Sequence, residues 1–496
     1  MEGDTIKIEA IRNALPYEYR DIKLTDDDFV DALYSLIYDR NIPVITIMGA
    51  GGTGKSFMYK VYSSCFRRVL CTATTGLAAF NLTRDGIAAM TLHSALKIKP
   101  LPWFEEDDSG AFFDVFDNYD ELFIDEVSML NANMLDFILN KAKLENIGRV
   151  KEHKPIFRVV LFGDTLQLPP VVKDRVDNTW YLWEKEYGGK HMFYNSKCFA
   201  EYREQDKCRF FFLDEIHRQD RREFMNILNE VRFACPSDDT MAKINSHVID
   251  LASFMKGTGK SGMMYLATKN STVKKINSKF EKILIASKAE KRRYVAKEEG
   301  DPDWENYFTS LNREIDLYVG QQVMCTANAV DKSYMNGTLG IIIGFTPCPP
   351  LFPGVDDNKL TPFQKEIKEI NEGFILPIVE NNERKFIVFR NKYEEYTIRR
   401  VEKDGTHTKP EVKGSVIQIA CKPAYACTIH KSQGLTLNAV YLDTSDSPMD
   451  NSVYVALSRL KSLDGLGLKV PISKSDIKTN EDSLKLYIEF NAMVPD

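Results

Sequence analysis

Apolar runs of strand length recur through the first 200 residues, at Val44 to Met48, Val69 to Thr72, Leu122 to Ile124 and Arg158 to Phe162, with helical stretches between them. This alternation predicts an α/β fold with a parallel sheet and helices on both faces. Polar residues at the carboxyl ends of its strands would line the crevice where ligands bind. Residues 1–25 read as a short polar lead-in and 26–204 as a first lobe. A second α/β region starts near 205, with Phe210 to Leu213 as a strand. Asp220 then precedes a helix that carries Glu223 in capping-box position and Phe224, Ile227, Leu228 and Val231 on one face. From 300 to 418 the texture changes to short strand candidates, Gly340 to Phe345, Phe386 to Phe389, Tyr396 to Val401 and Ser415 to Ile419, broken by Pro347, Pro349, Pro350, Asn336-Gly337 and Asp404-Gly405. This stretch reads as an inserted small β-barrel. The α/β texture resumes over 419–496, so the second lobe, 205–299 with 419–496, is discontinuous in sequence.

A chain of 496 residues is too long for one core, and two to four domains are expected. Lys plus Arg at 65 against Asp plus Glu at 71 gives a net charge of −6, so a nucleic-acid partner would need a local positive surface. Lys269 to Lys297 is the candidate, with ten Lys or Arg against two Glu, although a solvated helix face reads the same way. Nine cysteines without a Cys-x-x-Cys pair and seven scattered histidines point to a reducing compartment and away from zinc. No apolar run approaches the ~18 residues of a membrane span. The acidic Met1-Glu2-Gly3-Asp4 start resembles neither a secretory signal nor a transit peptide, so an intracellular protein of the cytoplasm, nucleus or a viral replication site is expected.

Gly49-Ala50-Gly51-Gly52-Thr53-Gly54-Lys55-Ser56 follows a β-branched strand and precedes a helical stretch. In that setting backbone N–H groups close around phosphate oxygens, Lys55 supplies charge to the β and γ phosphates, and the Ser56 hydroxyl ligates Mg²⁺. An ATPase also needs a metal anchor and a water activator. Asp125 and Glu126, at the end of the apolar strand Leu122 to Ile124, offer both. Gln167, in Gly163-Asp164-Thr165-Leu166-Gln167-Leu168-Pro169-Pro170, could sense the γ phosphate. Arg218 and Arg459 are candidates for the positive charge that the transition state of phosphoryl transfer requires. Far downstream, Thr428-Ile429-His430-Lys431-Ser432-Gln433-Gly434 packs hydrogen-bonding side chains between apolar flanks, poor core material that should face a ligand.

With these residues in view the chain resembles the superfamily 1B DNA helicases of the Pif/RecD-like (Dda-like) group, over about residues 40–465. The motifs that carry the resemblance stand in the family's order: GAGGTGKS, TATTGLAAFNL (72–82), TLHSAL (91–96), IDEVSM (124–129), GDTLQLPPV (163–171), LDEIHRQD (213–220), MNGTLG (335–340), TIHKSQGLTL (428–437) and YVALSR (454–459). The resemblance implies two RecA-like P-loop domains that bind ATP and Mg²⁺ between them, with single-stranded DNA running across their tops. Arg218 and Arg459 would reach over from the second lobe, and Gln433 and Gly434 would face the nucleotide. Thr74, Thr75, His93 and Ser94 would lie near the DNA backbone on the first lobe, and Thr428, His430 and Lys431 on the second. A wedge over 97–118 would present Trp103 and Phe104 to the duplex. The implied activity is ATP-driven 5′-to-3′ translocation and unwinding in replication, repair or recombination. The implied partners are single-stranded and forked DNA, and a single-strand-binding protein besides, for a monomeric motor with no membrane association.

The family's adenine-reading glutamine, expected 20 to 30 residues before the phosphate loop, is missing, since Gln167 is the first glutamine in the chain. Asp26, Asp27 and Asp28 stand there instead. A carboxylate accepts from the exocyclic amine but cannot donate to N7, which predicts relaxed base selectivity. The competing functions are an ATP-gated single-strand clamp or nucleoprotein remodeller, and an RNA helicase.

Overall fold

The computed structural model describes residues 2–66, 68–84, 86–98, 115–170, 184–215, 222–258, 263–305, 308, 311–331, 333–381, 384–400, 408–446 and 448–489. Two compact units emerge, residues 1–262 with 432–496, and residues 263–431.

The first unit is built on a six-stranded, wholly parallel sheet. Its strands β1 (Val44–Gly49), β2 (Val69–Ala73), β3 (Ala89–Thr91), β4 (Glu121–Asp125), β5 (Arg158–Gly163) and β6 (Cys208–Leu213) lie in the order β3-β2-β4-β5-β1-β6. Successive side chains of a strand point to opposite faces, and the buried residues separate accordingly. Val44, Met48, Leu122, Ile124, Val159 and Leu161 join one core layer, and Ile45, Ile47, Phe123, Val160 and Phe162 the other. Helices α1 (Glu2–Ala14), α2 (Asp27–Tyr38), α3 (Lys55–Cys65) and α4 (Gly76–Arg84) contribute to the second layer. The short α5 (Leu92–Ala95), α6 (Ala132–Lys151) and α7 (Lys197–Glu204) contribute to the first, joined by Leu486 and Tyr487 of the helix Glu481–Glu489.

Two expectations need correction. The polar lead-in contains α1, whose Ile11 is fully buried and is followed by the buried Leu15, while Lys7 pairs with Asp31 at 2.5 Å. Charged residues every few positions mask a single apolar contact face. The strand expected to open the second lobe is β6, an edge strand of the first sheet in parallel register with β1 from Val44↔Cys208 to Gly49↔Leu213. The helix predicted after it is present as α8 (Arg222–Arg232), with Phe224, Ile227, Leu228 and Val231 buried. Its expected cap, Asp220, lies outside the described residues.

The second unit pairs the strands Met263–Ala267 and Ala426–Thr428 in parallel and covers them with the helix Asn270–Ala286. The Asn277 amide clasps Ala426 at both its N–H and its carbonyl, and Phe280 stacks on Tyr425 at 4.2 Å. The rest is antiparallel, as the 300–418 texture predicted. A five-stranded sheet runs 385–387, 375–380, 339–347, 322–325, 421–423, beside a three-stranded sheet (390–400, 408–419, 297–300) and a strand pair (314–318, 291–295). Leu317, Val323, Ile342, Leu376, Val379 and Ile419 form its core. Among the described residues no helix is long and apolar enough to cross a membrane.

Candidate active site

Parallel strands deliver their carboxyl ends to one edge of the first sheet, and the chemistry collects there. Register places Gly49 beside Leu213, Met48 beside Gly163, and Ala73 beside Asp125. The loop between β1 and α3 turns through Gly52 and Gly54, at φ 95° and 93°, a region that side chains disfavour. The turn leaves the first N–H groups of α3 facing outward as an anion site. Thr53 Oγ1 donates to the Ala50 carbonyl at 3.0 Å and braces the loop. The Lys55 ammonium donates to the carbonyls of Gly49 at 2.6 Å and Ala50 at 2.7 Å. Burial pushes its pKa down, while Asp164 and Asp125 oppose that fall.

A cavity of about 500 Å³ opens at this loop, all of it within the first unit. Its walls include Ala50, Gly51, Gly52, Gly54, Lys55 and Ser56, the acid pair Asp125 and Glu126, Gln167, Gly434, Arg459 and Lys461. Phe57, Phe224, Met225, Leu228 and Leu435 supply an apolar side. Of the predicted nucleotide residues, Gly49 and Thr53 shape the loop from behind. Arg218 lies outside the described residues.

Burial, then repulsion from Glu126, pushes the Asp125 carboxyl up to about 7, even though it accepts from the Glu126 N–H at 2.9 Å. Burial also raises Glu126, while Arg459 and Lys55 pull it back. Glu126 sits at φ 55°, left-handed backbone that a non-glycine residue adopts at a cost of about 1–2 kcal/mol and that clusters at functional sites. Two half-buried carboxylates beside an exposed serine hydroxyl, Ser56, fit a divalent cation, which would relieve both the desolvation and the repulsion. No cluster of three or more metal-ligating side chains exists among the described residues. A cation here would complete its shell with water and phosphate, as Mg²⁺ does.

Asp164 follows β5 just as Asp125 ends β4, and the sequence reading passed over it. It is fully buried, accepts from Arg232 Nε at 3.1 Å and Nη2 at 2.9 Å, and accepts from Tyr454 OH at 2.7 Å. Arg232 also bonds Tyr487 OH and lies over the Tyr487 ring at 4.8 Å. A charged residue four positions after Leu228 on the apolar face of α8 was the available signal. Arg459 is buried as well, donating to the carbonyls of Val455 at 3.1 Å and Leu435 at 3.4 Å and to Ser458 Oγ at 2.9 Å.

Gln433 is buried behind the cavity wall rather than part of it, and its Nε2 donates to Ser128 Oγ at 3.0 Å and Gln167 Oε1 at 3.2 Å. The Gly434 carbonyl accepts from Asn81 Nδ2 at 3.2 Å.

The predicted DNA residues occupy several settings. Thr74 binds the acid pair, its N–H to the Asp125 carbonyl at 3.1 Å and its hydroxyl to the Glu126 carbonyl at 2.8 Å. Thr75 Oγ1 accepts from the Ala78 N–H, an N-cap for α4. His93 is partly buried, which pushes its imidazole down towards the neutral form, and the neighbouring Ser94 is exposed. In the second unit Thr428 is buried at its strand end, His430 is lowered by burial and Lys431 is exposed. Burial and then Lys431 push Lys422 down to about 7. Trp103 and Phe104 lie outside the described residues. Asp26 caps α2, accepting from the N–H groups of Asp28 at 3.0 Å and Phe29 at 3.3 Å.

The PIF1-like helicase family matches residues 25–234. The ATP-dependent DNA helicase Pif1 of Campylobacter jejuni is 26% identical over 477 residues, covering 91% of this chain and 89% of that protein. The ATP-dependent DNA helicase PIF1 of Danio rerio is 28% identical over 452 residues, 88% of this chain and 60% of the longer relative. Among solved structures, the Pif1 helicase from Bacteroides in complex with ADP-AlF3 and ssDNA aligns with a TM-score of 0.69 at 24% identity, covering 95% of this chain and 98% of that one. The fold is therefore that of the Pif1 helicases, α/β with RecA-like parallel sheets.

Proposed function

We infer that the chain is a PIF1-like helicase of superfamily 1B and an ATP-dependent DNA helicase, a motor that moves 5′ to 3′ along single-stranded DNA and separates duplexes at forks. The observation that carries the reading is convergence. The phosphate loop, the acid pair, Gln167 and Arg459 come from segments as far apart in the chain as Ala50 and Arg459 and line one cavity.

Each group then has a chemical task. The N–H groups at the start of α3 and the Lys55 ammonium hold the β and γ phosphates of ATP. Ser56 and Asp125 would hold Mg²⁺, which would supply positive charge against the phosphates. Glu126, its pKa raised by burial, accepts the proton of the attacking water. Gln167 reads the γ phosphate, and Arg459 supplies positive charge against the transition state. Thr74 joins the main chain of the acid pair to the loop that carries Thr75, so a DNA strand on these hydroxyls would act on the backbone that positions the hydrolytic carboxylates. Thr428, His430 and Lys431 supply the corresponding contacts on the second RecA-like lobe. Contacts of this type, to phosphate rather than to base edges, suit a motor that must step along any sequence.

A forked duplex with a 5′ tail, one with a 3′ tail and an RNA equivalent separate the readings. Displacement of the 5′-tailed DNA alone, dependent on ATP and Mg²⁺, is expected. Displacement from the 3′ tail would reverse the polarity, preference for RNA would change the substrate, and ATP turnover without displacement would favour a clamp or remodeller.

A further inference from the structure

We propose that Gln433 is a positioning residue for ATP hydrolysis, one that fixes the side-chain amide of Gln167 with its NH2 group towards the phosphate cavity. The inference rests on the ATPase reading above and deepens it.

An amide side chain has two faces of opposite character, an accepting oxygen and a donating nitrogen, and they occupy nearly the same volume. A glutamine that meets a phosphate must present nitrogen, because oxygen turned to the anion is repelled. Shape alone cannot enforce that choice, so a hydrogen bond from behind has to. Gln433 Nε2 donates to Gln167 Oε1 at 3.2 Å and to Ser128 Oγ at 3.0 Å. With the Gln167 oxygen held by this donor, Nε2 is the end left to face the cavity that Gln167 lines.

The main chain of Gln167 is fixed independently. Its N–H donates to the Asp164 carbonyl at 3.1 Å, and its carbonyl accepts from Asn451 Nδ2 at 3.0 Å. What remains adjustable is the side-chain torsion, and that is what Gln433 governs. Gln433 is itself buried, and its Oε1 has no partner among the described residues. A buried amide oxygen left unsatisfied is costly, so the bonds made by its nitrogen must be worth retaining. Gln433 also follows Lys431, the last residue of the second unit, by two positions. A displacement of that junction would reach the Gln167 amide through one side chain.

The test is a double-mutant cycle on the full chain, using Gln433→Met and Gln167→Met to keep volume while removing the amides. Gln433→Met should lower kcat for ATP hydrolysis by roughly tenfold to a hundredfold and raise the KM for ATP as its grip on the γ phosphate weakens. The double variant should be no slower than Gln167→Met. Direct binding supplies a second readout: Gln433→Met should weaken a non-hydrolysable ATP analogue while leaving ADP affinity unchanged, a discrimination that loosened packing would not produce. Losses that multiply in the double variant, or equal weakening of ADP and the triphosphate analogue, would overturn the assignment and leave the ATPase reading intact. If the unaltered chain fails to hydrolyse ATP, that reading fails and this inference with it.

Discussion

Asp125 and Glu126 share the buried carboxyl edge of the sheet, and the desolvation that raises Asp125 to about 7 gives the site a pH signature. A carboxyl with a raised pKa keeps its proton below that value, and a divalent cation must displace the proton before it can bind. Affinity for Mg²⁺-nucleotide should therefore be full above pH 7 and fall as pH drops through it. Isothermal titration between pH 6 and 8 checks this, and Asp125→Asn should bind weakly with a flat profile. A neighbouring buried charge has a different consequence. Asp164 and Arg232 neutralise each other with both side chains sealed from water, so Arg232→Ala strands a carboxylate and should cost about 3–5 kcal/mol in urea unfolding. Adding Asp164→Asn should recover part of that loss, because the unpaired charge goes with its partner. These residues also show what a linear reading can see. Asp125 was legible because an acidic pair ended an apolar strand, yet Asp164 stands in the same position after β5 and was eclipsed by its more distinctive neighbour Gln167. Arg232 was hidden because its partner lies 68 positions away, and only folding brings the two together.

At the scale of elements, periodicity found strands and helices but not their neighbours. The run Phe210 to Leu213 is a strand as expected, but nothing local says that it will extend the first sheet beside β1, since such pairing is set by tertiary contacts. The helix α1 was missed for a related reason, as one fully buried residue, Ile11, among charges gives almost no amphipathic signal. The start of α2 is more instructive. Asp26, in the stretch where an adenine-reading glutamine was expected, is engaged as a helix cap, so Asp26→Ala should cost about 1 kcal/mol in thermal or urea unfolding. With no amide in that stretch to read the base, GTP or CTP should support turnover within about tenfold of ATP. A steady-state comparison of the nucleotides decides it, and strict ATP preference would mean that another group reads adenine.

Across the whole molecule, order of motifs along the chain carried more than any single motif. The phosphate loop, the acid pair, the 163–171 string and the 454–459 string were each assigned from sequence, and the fold gathers them around one cavity in the first unit. What sequence could not supply is the layer behind that wall, where Ser128, Gln433 and Asn451 hold Gln167 through bonds spanning as many as 305 positions. The net charge of −6 places a further condition on function. Binding to DNA must come from local cations such as Lys431 and the exposed lysines of the 270–286 helix, and should weaken steeply as salt rises. In the proposed motor, chemistry at Lys55 drives strand separation. Single-turnover displacement of a 5′-tailed fork by the unaltered chain and by Lys55→Ala, at matched DNA occupancy, tests this most directly. Displacement abolished in Lys55→Ala while DNA remains bound is the predicted result, and displacement at an undiminished rate would contradict it.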